Sequence, residues 1–160
     1  MSMTINPQSV VDEDAFAVTR TIRISAPVEK VWAAVTEPEQ VSRWFGRLEL
    51  DGRGAGAAGT LSFEGYGAVP IRVESIDAPR TVTYRWGNDD ASPSRPDRLD
   101  DSTSTVFTFT LVEVDGGTEL TVLERGFEVT SDPAFNLAEH GKGWNDELDK
   151  LVALLESETA

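Results

Sequence analysis

The 160-residue chain has no cysteine and a single histidine. Without thiols there can be no disulfide, no thiolate nucleophile and no thiolate zinc site, so redox chemistry through protein sulfur is excluded. Basic residues are also scarce, with 14 Lys and Arg against 28 Asp and Glu and a formal net charge of -14. A surface of that sign repels a nucleic-acid backbone or an anionic bilayer, so neither is an expected partner. Its ordinary role is to keep a folded chain in solution. No apolar run is long enough to span a membrane, and the N-terminal MSMTINPQSVVDEDAF lacks the basic start and apolar core of a signal peptide. The expected location is the cytoplasm. Phosphate-binding signatures are missing too: the glycines of GRGAGAAG have no GKS or GKT ending and do not join a strand to a helix. No cofactor is expected. The acids of the 88–103 stretch do not fall at calcium-loop spacing, so no metal is expected either.

What is present is a globular composition, 39% hydrophobic and 26% charged. Residues 1–14 are polar, acidic and aperiodic and read as a flexible arm, leaving one domain over 15–157. Phe16, Val18, Ile22 and Ile24 alternate as in a half-buried strand, with Arg20 on the same face. Ser25 and Pro27 then open a helix whose stripe is Val28, Val31, Trp32 and Val35, Ser25 as cap and Pro27 in the first turn. A second short helix follows from Pro38, with Val41, Trp44 and Phe45 on its buried side and Gly46 as its stop.

The Gly- and Ala-rich stretch 51–59 reads as a loop, after which strands resume. Leu61 and Phe63 lead into a turn at Gly65-Tyr66-Gly67, and a strand returns from Ala68 to Ile76. Val82, Tyr84 and Trp86 share one face of the next strand, and residues 88–103 form a long exposed loop. The clearest hairpin joins 106–114 to 118–127 through Asp115-Gly116-Gly117. Glu124 falls on the apolar face of the returning strand. The last helix opens at Asp132-Pro133 and repeats Leu137, Gly141, Trp144, Leu148, Leu151 and Leu155 at helical steps. Helices that do not alternate with strands exclude a doubly wound sheet. The fold class is therefore α+β: about six or seven antiparallel strands curved over the long C-terminal helix, with two short helices after the first strand.

Four fragments in order, VTRTIRISAPVEKVWAAVTEPEQVSRWF, VESIDAPRTVTYRW, GGTELTVLERGF and GKGWNDELDKLVALL, closely resemble domains homologous to the activator of the heat-shock protein 90 ATPase. These belong to the START-like (SRPBCC, polyketide cyclase/dehydrase and lipid transport) superfamily. The resemblance covers roughly 16–156 and implies the helix-grip, Bet v 1-like fold. It also implies either a small-molecule binding protein or a stress-related, co-chaperone-like module acting on a chaperone or another protein.

Within such a fold, Trp44, Phe63, Tyr84, Trp86, Phe107, Phe109 and Trp144 are the large residues whose pattern points them inward, either as filling or as the wall of a ligand cavity. His140 borders the stripe of the last helix and is a candidate ligand-cavity residue or acid-base group. Arg20 and Glu124, each on an apolar strand face, are expected to pair as a buried salt bridge. Gly141 and Gly143 inside a helix call for close approach by the sheet or a ligand.

Three functions follow. The first is a non-enzymatic binder of a small hydrophobic or aromatic molecule, with a preformed cavity of several hundred Å³, and a solidly filled interior defeats that version. The second is a protein-interaction module with an exposed apolar patch. The third is a cyclase- or hydrolase-type enzyme, for which His140 or Tyr84 must face a cavity beside Arg20 or Glu124. The chain is read as a monomer or homodimer.

Overall fold

The computed structural model describes residues 5–92 and 96–159. In chain order the elements are β1 (Val10–Asp12), β2 (Ala17–Ile24), α1 (Val28–Thr36), α2 (Pro38–Val41), β3 (Arg47–Asp51), β4 (Ala58–Phe63), β5 (Gly67–Asp77), β6 (Thr81–Trp86), β7 (Thr105–Val114), β8 (Gly117–Arg125), a 3-10 turn at Phe127–Val129 and α3 (Pro133–Thr159). All eight strands form one antiparallel sheet in the order β1-β2-β8-β7-β6-β5-β4-β3. One face of the sheet is polar. The other is covered by α3 and the two short helices, and the core lies between. This is the α+β helix-grip arrangement the period-two strands and the single long amphipathic helix predict.

The two strands that the periodicity does not name are the edges. β1 lies within the stretch read as a flexible arm, where Val10, Val11 and Asp12 pair with Thr19, Val18 and Ala17. Both valines are exposed, so no hydrophobic alternation marks the strand; backbone pairing to β2 makes it. Residues 1–4 of the arm lie outside the described residues. β3, at the other edge, carries the alternation Arg47-Leu48-Glu49-Leu50-Asp51 and inserts Leu48 into the core.

Local signals also differ from their outcome in places. Pro27 occupies the N-cap position of α1 instead of its first turn, and Ser25 does not cap; its backbone N–H donates to Glu156 on α3. α2 ends at Val41, so Trp44 and Phe45 lie in the turn after it, both still buried. The Gly65 to Gly67 turn works because both glycines take the left-handed conformation.

The 88–103 stretch is loop as expected, with 93–95 outside the described residues, but several of its acids are engaged and not merely solvated. Asp89 accepts from Ser131 and Asn136, tying the loop to the start of α3. Asp101 pairs with Arg72 on the sheet. No helix of the described residues is long and apolar enough to cross a membrane.

Candidate functional site

The alternation on β6, β7 and β8 points Tyr84, Trp86, Phe107, Phe109 and Glu124 toward α3, which meets them with His140 and Trp144. All of these are buried, and Phe63 lies half-buried at the margin. The rings interlock: Trp86 meets Phe107 at 4.7 Å between centroids, Phe107 meets Trp144 at 5.1 Å, and Trp86 stacks on Trp144 at 5.9 Å. Such packing exceeds what area burial alone contributes.

Within this aromatic layer sits a polar node. The Glu124 carboxylate accepts from His140 Nδ1 at 2.8 Å and Trp144 Nε1 at 2.9 Å on one oxygen. Its other oxygen accepts from Trp86 Nε1 at 2.8 Å and Thr105 Oγ1 at 2.6 Å. Burial pushes the Glu124 carboxyl up, but the charge of His140 and the hydrogen bonds outweigh it and hold the group below the usual carboxylate range. Burial likewise lowers His140, yet Glu124, together with Asp90, raises it to about 10. The pair is therefore a carboxylate and an imidazolium, and the second ring nitrogen donates to Asn88 O at 2.9 Å.

Arg20 does not join this node, contrary to the expected Arg20–Glu124 salt bridge. The register sets Arg20 opposite Val122 and Glu124 opposite Val18. From there the guanidinium reaches the other way, donating to Pro7 O, to Trp144 O and Asn145 O, and to Asp149 at 2.7 Å. Three carbonyls and a carboxylate satisfy the buried cation without Glu124. Arg20 thereby clamps the N-terminal segment onto α3. β1 also explains Gly141, where an added Cβ would lie 3.2 Å from Val11 Cγ2. Gly143 faces open space, and nothing in the structure accounts for it.

The interior is filled. The space lined by Val35, Trp44, Phe45, Tyr84, Phe107 and Phe109 has a volume of about 10 Å³, at most room for one water, so among the described residues the aromatic wall encloses no cavity of the expected several hundred Å³. The residue that fills it is Phe45, which sequence reading places on a buried helix face but not at the site. Its ring lies 5.0 to 6.1 Å from those of Trp44, Phe63, Trp86, Phe107 and Trp144. The polar tips of the wall are occupied as well: Tyr84 donates to Val35 O at 2.7 Å and Trp44 to Ala34 O at 2.8 Å. Burial pushes the Tyr84 phenol well above its ordinary range, so it stays protonated.

A family model described as Activator of Hsp90 ATPase homolog 1-like protein matches residues 25–156. The chain belongs to this family. Among solved structures, a protein of Mesorhizobium loti is 27% identical, with a TM-score of 0.72 over 88% of this chain and 97% of that one. A protein of the dynemicin biosynthetic locus is 25% identical, with a TM-score of 0.70 over 89% of this chain, which spans 48% of that protein's length. An Aha1 from Colwellia psychrerythraea, solved as a dimer, is 22% identical over 88% of this chain and 96% of its own, with a TM-score of 0.68, and shares the fold. No curated protein matches the chain. Membership of the Hsp90 ATPase activator-like family accounts for the sheet, the short helices and α3; it leaves the ligand undefined.

Proposed function

We propose that this protein binds a small, uncharged aromatic molecule in the layer between sheet and α3, in a space that opens when the turn carrying Trp44 and Phe45 swings out. The observation that carries this reading is Phe45 itself. Its ring sits at the centre of an aromatic wall built by the sheet and α3, yet it is delivered by a short turn after a four-residue helix. A planar ligand entering that slot exchanges one set of ring contacts for another, so the opening is offset by the binding. The ligand should carry no charge and few hydrogen-bonding groups, because the polar tips of Tyr84, Trp86 and Trp144 on the wall that stays are already engaged inside the protein.

The same saturation argues for binding without catalysis. Both oxygens of Glu124 and both ring nitrogens of His140 are engaged, and His140 is held as the cation, which cannot act as a base. The chaperone-directed alternative rests on the family description.

The test is a titration of the wild-type chain with naphthalene, read by tryptophan fluorescence and by thermal stabilisation, beside the Phe45→Ala variant. Wild type should bind, and Phe45→Ala should bind at least tenfold tighter, having no plug to displace. Binding by the variant alone would mean that substitution creates the site, and the reading would then be wrong.

A further inference from the structure

The solvent face of the sheet is the part of the molecule that the binding site does not use. Its central register sets Thr21, Thr121, Thr110 and Thr81 side by side across β2, β8, β7 and β6. The next row, one pleat along, is Thr19, Leu123, Thr108 and Thr83. Neither row holds a charge, although a surface panel of that size would ordinarily hold about two or three. In a chain of net charge -14, an uncharged panel lets a second acidic molecule approach without a like charge directly opposite.

The flanking rows say which second molecule. Along β8 the outward residues run Glu119, Thr121, Leu123, Arg125, and along β7 they run Val106, Thr108, Thr110, Val112. Both sequences are self-complementary under a two-fold axis lying in the face between the two central rows. That axis sets β8 against β8 of the other copy in opposite direction, Arg125 over the partner molecule's Glu119 and Val106 over its Val112. Glu119 and Arg125 are exposed, and neither has an ion-pair partner among the described residues, although Arg23 stands opposite Glu119 in the β2–β8 register. Leu123 and Val112 are apolar and exposed on the same face.

We infer that two copies of this chain pair face to face through the outer surfaces of β7 and β8, with Glu119 and Arg125 as reciprocal ion pairs around a core of threonines, Leu123 and the two valines. From strand spacing and rise the outer face of β7 and β8 from Glu119 to Arg125 is about 230 Å² on each copy, well under half of a standard interface, so the dimer is weak and concentration-dependent.

The experiment combines sedimentation velocity between about 10 and 500 µM with amide chemical shifts followed on dilution, using wild-type chain and three variants, Glu119→Arg, Arg125→Glu and the double exchange. The expected result is a reversible dimer whose shifts gather on the outer residues of β7 and β8. Each single exchange should weaken it tenfold or more, by placing like charges opposite one another, and the double exchange should restore it. A chain that stays monomeric throughout overturns the inference. So do a dimer whose shifts lie elsewhere and a double exchange that fails to rescue. Because the wild-type dilution stands alone, a misfolded variant does not protect the idea, and none of these outcomes bears on the arene titration.

Discussion

In the layer between sheet and α3, Glu124 receives hydrogen bonds from β6, β7 and α3, while Phe45, seated against the same Trp86 and Trp144, packs on five rings. The first is held by directional bonds in a medium of low dielectric, where leaving any of them unmade is costly. The second is held by dispersion and burial, which a ligand of similar shape can replace. The contrast teaches where the molecule can open without breaking: at the turn after α2, away from the loop strapped to α3 by Asp89 and His140.

The largest effect is expected from Glu124→Gln, nearly isosteric, which turns one acceptor into a donor facing donors and removes the countercharge of His140. It should cost about 3–5 kcal/mol in chemical denaturation. A loss under about 1 kcal/mol would mean that the node does not fix its surroundings. Phe45→Ala should cost less, about 3 kcal/mol, and naphthalene should return part of it as raised melting temperature. If Phe45→Ala proved the more damaging of the two, the plug would be as structural as the node.

pH sharpens the same difference. His140 is raised, so its contribution is fully present below about 6.5 and is lost as pH climbs through about 10. Glu124 is lowered, so its contribution is present above about 4.5 and is lost as pH falls through its lower folded value. Both therefore act fully between about 4.5 and 6.5, and stability should decline from there toward pH 10 in wild type but not in His140→Gln. A flat wild-type profile over that interval would count against the ion pair. The smallest expected effect is Gly143→Ala, a gain of about 0.5–1 kcal/mol from helix propensity, since no atom opposes the new methyl. A loss there would point to a contact of α3 that the isolated chain does not make.

Much of this was legible beforehand, though unevenly. Two-residue alternation marked β2, β6, β7 and β8 and their inward residues, because burial on one face imposes that period whatever the neighbours are. The edge strands escaped because β1 buries no side chain and β3 is five residues long. Alternation identifies Arg20 and Glu124 as inward charges, but the expected pair between them does not form. Alternation tells which face a side chain takes, but not which way a long guanidinium turns once there. Asn136 and Thr105, which complete the two hydrogen-bonded clusters, carry no local signal beyond being polar residues beside apolar ones.

Residue type and spacing alone carry the α+β class, the inward aromatic set and the absence of thiols. Packing in three dimensions is what fills the expected cavity with Phe45, sets His140 and not Arg20 against Glu124, and lays out the outer face of β7 and β8. Those outcomes depend on register and on the packing of distant segments, which bring together residues up to a hundred positions apart with no trace in local pattern.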